Sequence, residues 1–304
     1  MLRSLPKGLN SSYHIDQWLK PQVKLPYVGA LMETLMSKRI WIFLNATFFS
    51  GFVFSANDLN LTQLTDYRDE IQTYLVDEKR YANDDVGLEL GCDILVNEEG
   101  RFCVNLTVPT VNIEGGRQYL YATEIGSPLN EDNTVSESHA ATGAVTFFIF
   151  EVQPEGLLRL LASSATEYWG AYGKPSRPIP FKIGAGPSLA WKVDMSGTHQ
   201  GYFHSHLGIY ARVERQVLNI LSIQTDADNS GAVDDEDPNS KIEQTTVDLT
   251  LRSSPSKNFA DIEARVVKLV KTGKNETKTI ETVILSLDPA RRRYATEALD
   301  LYFK

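Results

Sequence analysis

The chain has 304 residues, an apolar fraction of 42% and a formal net charge of −9. That length holds one large domain or two modest ones, and that composition excludes general disorder. Residues 1–56 carry six Lys/Arg and two Asp/Glu, leaving the rest of the chain at −13, which argues against a nucleic-acid partner because phosphate binding needs a basic footprint.

Met36-Ser37-Lys38-Arg39 is followed by a largely apolar run over residues 40–53, broken only by Asn45, Thr47, Ser50 and Gly51, and then by small Ser55 and Ala56. That order is the pattern of a secretory signal over residues 36–56, with Val53 at the −3 position if cleavage follows Ser55. The run is too short and interrupted for a membrane span of ~20 residues, so membrane contact is expected only through segment 40–56. Residues 1–35 contain Pro6, Pro21 and Pro26 and no periodicity. They read as an extension ahead of an initiator at Met36. The exported body, periplasmic or extracellular, then divides into an α+β region over 57–135 and a β domain over 136–304.

In that body, residues 60–81 place Leu61, Leu64, Tyr67, Ile71, Tyr74 and Leu75 at helical spacing, which predicts one amphipathic helix. Residues 86–96 and 101–113 read as strands about the turn Asn97-Glu98-Glu99-Gly100. Cys92 and Cys103 flank that turn, and an oxidising compartment makes a disulfide the expected outcome. Residues 123–142 are polar, with Gly126, Pro128, Asn130 and Asn133, and read as a long loop and domain boundary. Residues 146–152, 157–161, 202–213, 217–223, 242–251, 261–270 and 278–287 read as strands, with a turn at Thr272-Gly273-Lys274-Asn275. In 202–213, Phe203, Leu207, Ile209, Ala211 and Val213 alternate with His204, His206, Tyr210 and Arg212, predicting one buried and one wetter face. Asp288-Pro289 suggests a cap for a terminal helix ending at Leu301. Many short strands with turn signals predict a mainly β, antiparallel, sandwich-like fold with one N-terminal helix.

One loop carries specific chemistry. With Asp226 as position 1, Asp228 is position 3, Ser230 position 5, Gly231 position 6, Asp234 position 9 and Asp237 position 12, and Ala232 at position 7 offers its carbonyl. Calcium takes six to eight oxygens, so alternate residues must curl around one point, and the glycine is expected to allow the bend. Position 12 is Asp rather than the longer Glu, and both flanks are β-like rather than helical. The loop therefore resembles the strand-joining calcium loops of FG-GAP and integrin-type repeats, or those of dockerin-like modules. The resemblance covers a dozen residues and implies structural Ca²⁺ but no overall fold.

A second cluster is His199-Gln200-Gly201-Tyr202-Phe203-His204-Ser205-His206. His204 and His206 point the same way on a strand and form a candidate zinc site with His199 as third ligand. The alternative is an ordinary polar strand face. Tyr168, Trp169 and Tyr172, with Trp191 and Tyr202, are a candidate stacking surface for sugar rings, against packing at a turn. No G-x-S-x-G, H-E-x-x-H or Gly-rich phosphate loop occurs. Asn60-Leu61-Thr62, Asn105-Leu106-Thr107 and Asn275-Glu276-Thr277 fit glycosylation acceptors. The sequence therefore points to an exported, non-catalytic protein that binds a protein or glycan partner on a calcium-stabilised β scaffold. The alternative is a metal-dependent hydrolase centred on His199, His204 and His206.

Overall fold

The structure is a computed structural model that describes residues 61–82, 85–184, 188–233, 237, 239–252 and 258–303; the expected signal segment and the extension before it lie outside these. The predicted helix is α1, Leu61–Asp77. Its apolar spacing buries Ile71 and Leu75 completely or nearly so, against Leu106, Leu120, Ala122, Phe148 and Phe150. Tyr74 meets Phe150 edge-on at 5.4 Å. The helix stops where Lys79 turns left-handed at φ 56° and the Arg80 N–H donates back to the Leu75 carbonyl.

Residues 86–96 do not form one strand. Their first half is a short helix, α2 (Asp85–Leu90), closed by Gly91 at φ 70° with the Cys92 N–H donating to the Gly87 carbonyl. Only β1 (Asp93–Asn97) is extended, pairing with β2 (Gly100–Leu106). Cys92 and Cys103 are disulfide-bonded, with Cα atoms 5.5 Å apart. The run 101–113 is cut at Pro109, which lies between β2 and β3 (Thr110–Glu114); proline has no N–H for a ladder.

The remaining strands are β4 (Arg117–Pro128), β5 (Gly143–Val152), β6 (Leu158–Ser163), β7 (Glu167–Trp169), β8 (Ile179–Lys182), β9 (Leu189–His199), β10 (Tyr202–Val213), β11 (Gln216–Asp228), β12 (Lys241–Arg252), β13 (Asp261–Thr272), β14 (Asn275–Leu285), β15 (Leu287–Asp288) and β16 (Arg293–Tyr294). The first fourteen are hydrogen-bonded into one sheet, antiparallel except where β6 meets β11 at Ser163 and Gln216. The fold is therefore mainly β, as the turn-punctuated short runs predict. Residues 123–142 are not one loop: 117–128 is the strand β4, and it pairs with β5 from Gln118–Val152 to Gly126–Ala144, across the expected boundary.

The sheet doubles back on itself, and three hydrophobic clusters mark its layers. β5 is buried on both faces: Phe148 and Phe150 face α1, while Val145, Phe147 and Ile149 face Trp191, Val193 and Tyr210 of β9 and β10. The opposite face of β9–β11 supplies Ala190, Leu207, Ile209, Ile220 and Ile223 to a third cluster, completed by Val247, Ile262, Ala264 and Leu285 of β12–β14. β10 therefore lacks the simple wet face its alternation predicts. Tyr210 is buried against Phe147 at 4.7 Å and Trp169 at 5.4 Å; the exposed parts of β10 are its start, Tyr202–His206, and Arg212 near its end.

The terminal helix expected over 288–301 is absent. The Asp288 carboxylate does cap the Ala290 N–H, but Arg292 turns left-handed at φ 56° and the chain returns as the β15–β16 hairpin. Tyr294 is drawn into the third cluster, where its hydroxyl donates to the Ala260 carbonyl at 2.6 Å. A 3₁₀ turn at Asp300–Phe303 follows.

Candidate functional site

The two sequence motifs lie at one end of the molecule and touch. In the β9–β10 hairpin, Tyr202 pairs with His199, His204 with Gly197 and His206 with Met195. Directly paired residues share a face, so His199, Tyr202, His204 and His206 all point to one side. Gln200 and Gly201 make the turn at φ 49° and 84°. A Cβ on Gly201 would sit 2.2 Å from the Gly231 carbonyl oxygen, and one on Gly231 would sit 2.9 Å from the Gly201 oxygen. The hairpin turn therefore rests backbone to backbone on the acidic loop. This changes the reason for Gly231: it takes no left-handed φ, and what it supplies is room for Gly201.

The acidic residues are distributed between strand and loop. Asp226 and Asp228 belong to β11, opposite Thr246 and Gln244 of β12. Burial pushes the Asp226 carboxyl above its ordinary pKa, helped by Asp248, while the Thr225, Thr246 and Ser205 hydroxyls pull the other way. Asp228 accepts the Ser230 N–H at 2.7 Å and the Gln244 amide at 3.0 Å. Asp237 accepts the Asn239 N–H at 2.9 Å, and the Ala232 N–H donates to the Asn229 carbonyl. Asp234 lies outside the described residues. Among the described residues no three His, Cys, Asp or Glu side chains come together as a metal-ligand group.

Sequence reasoning missed Asn229. Its side chain accepts the Glu243 N–H at 2.7 Å and donates to the Lys241 carbonyl at 3.1 Å, pinning the loop to β12. Asn229 is position 4 of the loop, a place to which the ligand pattern assigns no role.

The histidines are exposed on their shared face. The Gln224 amide lies 3.0 Å from His204 Nδ1. Burial, then the neighbouring His204, lowers the His206 pKa.

Beside this junction lies a cleft of about 180 Å³ on one face of the sheet, where His204 pairs with Ala227, Ala227 with Thr245 and Thr245 with Lys268. Tyr202, Tyr302 and Phe303 give it aromatic surface, and His204, Glu243 and Lys268 give it polar groups. Glu243 pairs with Lys241, which, together with Lys268, holds its carboxyl below the ordinary range against the effect of burial. Tyr302 is fixed by donating to Glu281 at 2.6 Å. Nothing local in the sequence indicates that the C-terminal aromatics reach this place, because the turn that brings them there is held by tertiary contacts.

Of the candidate stacking residues, only Tyr202 reaches the cleft. Trp169 and Trp191 are core residues packed around Phe147 and Tyr210, and the Trp191 indole N–H has no partner among the described residues. Tyr168 accepts an amide hydrogen from Asn97 at 2.7 Å. Tyr172 is exposed beside His139.

A second feature also escaped the sequence. Glu124 of β4 is fully buried, and it accepts from Arg80 at 3.1 and 2.5 Å and from the Tyr81 hydroxyl at 2.7 Å. Arg80 also donates to Thr146 at 2.8 Å and lies 5.1 Å from the Phe148 ring centre. This network ties the α1–β1 connection to the β4–β5 centre. It is complete in itself and holds the fold.

No protein-family model matches the chain, and comparison with curated proteins and with solved structures yields no match.

Proposed function

We propose that this is an exported, non-catalytic protein, periplasmic or extracellular, that binds a protein or glycan partner through the cleft beside the 199–206 and 226–237 motifs. The observation that carries this reading is the backbone contact between Gly201 and Gly231, which gathers both motifs at the edge of one aromatic-lined cleft. The disulfide supports an oxidising compartment. No helix of the described residues is long and apolar enough to cross a membrane.

In this reading a calcium ion closes the loop through Asp226, Asp228, Ser230, the Ala232 carbonyl, Asp234 and Asp237. It neutralises carboxylates that would otherwise repel one another. An ion that binds only the folded chain stabilises it by mass action, about 2.7 kcal/mol at a hundred times Kd. The melting temperature is therefore expected to rise on adding millimolar calcium, and Asp226→Ala is expected to abolish the rise. An unchanged melting temperature removes the calcium part of the reading. Metal analysis of the native protein separates this from the hydrolase alternative. One equivalent of zinc, lost when His204 and His206 are replaced together, would favour the enzyme.

A further inference from the structure

β11 is thirteen residues long and pairs with β10 along its length. On its other edge it meets β6 only at Gln216 and β12 only at Asp226–Asp228. Among the described residues, the edge over 217–225 has no strand paired to it. At about 3.3 Å per residue that gap is roughly 30 Å long. Alternate N–H and C=O groups of such a stretch point outward and need partners.

A cavity of about 520 Å³ lies against this gap. It is lined by four consecutive residues, Asn219, Ile220, Leu221 and Ser222. The strand bulges here, since the β10 register skips Ile220; Ile220 and Leu221 both turn into the third cluster while Asn219 and Ser222 stay exposed, so a cavity touching all four runs along the strand's outer edge. Its far wall is the β16 segment, with Arg293, and the residues that follow. Among the described residues β16 pairs only with β15, and no backbone pairing joins it to β11 across the cavity. The charges on the far wall are mixed, Arg293 beside Glu297 and Asp300, and select neither a strongly acidic nor a strongly basic ligand.

We propose that this slot binds an extended, proline-free stretch of a partner polypeptide, which adds to the free edge of β11 as a strand. Recognition is then chiefly through the main chain, the mode of β-strand addition. Proline is excluded because it lacks the N–H that the edge requires. The slot is separate from the cleft described above and stands whether or not that cleft binds anything.

The test is selection of a random linear heptapeptide library, displayed on phage, on the full chain, followed by synthesis of the enriched peptides. Binding is expected to slow amide hydrogen exchange within residues 217–225. N-methylation of the peptide at alternate residues is expected to weaken binding at least tenfold for one of the two phases. Thr296→Trp, which fills the cavity from its far wall, is expected to abolish binding. The N-methylated peptides keep the test decisive if that variant folds poorly. No enrichment, protection elsewhere in the chain, or indifference to N-methylation overturns the proposal. So does a dimer of the unliganded protein in sedimentation that Thr296→Trp dissociates, since that would assign the slot to a second copy.

Discussion

Replacing Gly201 by alanine tests the contact on which the functional reading rests. Two costs arise at this position. Its φ of 84° is left-handed, which costs a residue with a Cβ about 1–2 kcal/mol. The new Cβ would lie 2.2 Å from the Gly231 carbonyl oxygen. Backbone faces backbone there, so relief requires moving a turn, at about 1–3 kcal/mol. The sum is about 2–5 kcal/mol. Gly231→Ala meets its nearest atom at 2.9 Å and carries no left-handed penalty, so about 1–2 kcal/mol is expected. Gly197→Ala, on the same hairpin, has nothing within 4 Å of its Cβ and should be neutral or gain up to about 1 kcal/mol. Urea denaturation followed by tryptophan fluorescence reads the order directly. With a slope of about 1–3 kcal/mol per molar, Gly201→Ala should lower the midpoint by roughly 1 M or more. Equal midpoints for Gly201→Ala and Gly197→Ala would refute the contact and the convergence of motifs built on it.

Removing the disulfide by Cys92→Ser with Cys103→Ser should lower stability by about 2–3 kcal/mol, because the bond closes a loop with a sequence separation of 11; the urea midpoint measured without reductant shows it. Acid stability should depend on Glu151. Burial raises its pKa, but hydrogen bonds from Gln153 and Arg159 and the charges of Arg159 and Arg117 outweigh that and leave it below its ordinary 4.5. A carboxyl depressed in the folded state contributes stability above its unfolded pKa and loses it as pH falls through the folded value. Glu151→Gln should therefore flatten the fall in melting temperature below about pH 4.5; an unaltered acid limb would contradict this.

What the sequence made legible was local. The strand β10, the turn at Thr272–Asn275, the Cys92–Cys103 pair and the face of α1 are each specified within a dozen residues, and each is found. What it hid was set by partners far along the chain. β4 reads as a polar loop because Thr123 and Glu124 look like surface residues, yet both are buried, and the group that satisfies Glu124 is Arg80, 44 positions away. Tyr294 looks like part of a helix until Ala260 claims its hydroxyl. At the site, the acidic spacing was legible, but the meeting of Gly201 with Gly231 was not, since thirty residues and two strands separate them. Nor was the arrival of Tyr302 and Phe303, which rests on the Tyr302–Glu281 hydrogen bond and on packing against the third cluster.

The open edge of β11 and the third cluster have one cause. β12 pairs with β11 only at Asp226–Asp228 and then with β13 along its length. It must leave, because Leu207, Ile209 and Ile220 need a covering layer, and sheets pack face to face at about 10 Å rather than at the 4.8 Å of a paired neighbour. A strand cannot occupy both positions. Extending the β11–β12 pairing toward Gln216 would close the edge but pull Val247 away from Ile262 and Ala264 and uncover the cluster. The chain's own answer is partial: Tyr294 and Leu299 bury themselves in the cluster and stand across the gap without pairing to β11. Satisfying the edge without losing the core therefore requires a segment other than β12, and this is the physical reason to look for a partner strand at Asn219–Ser222.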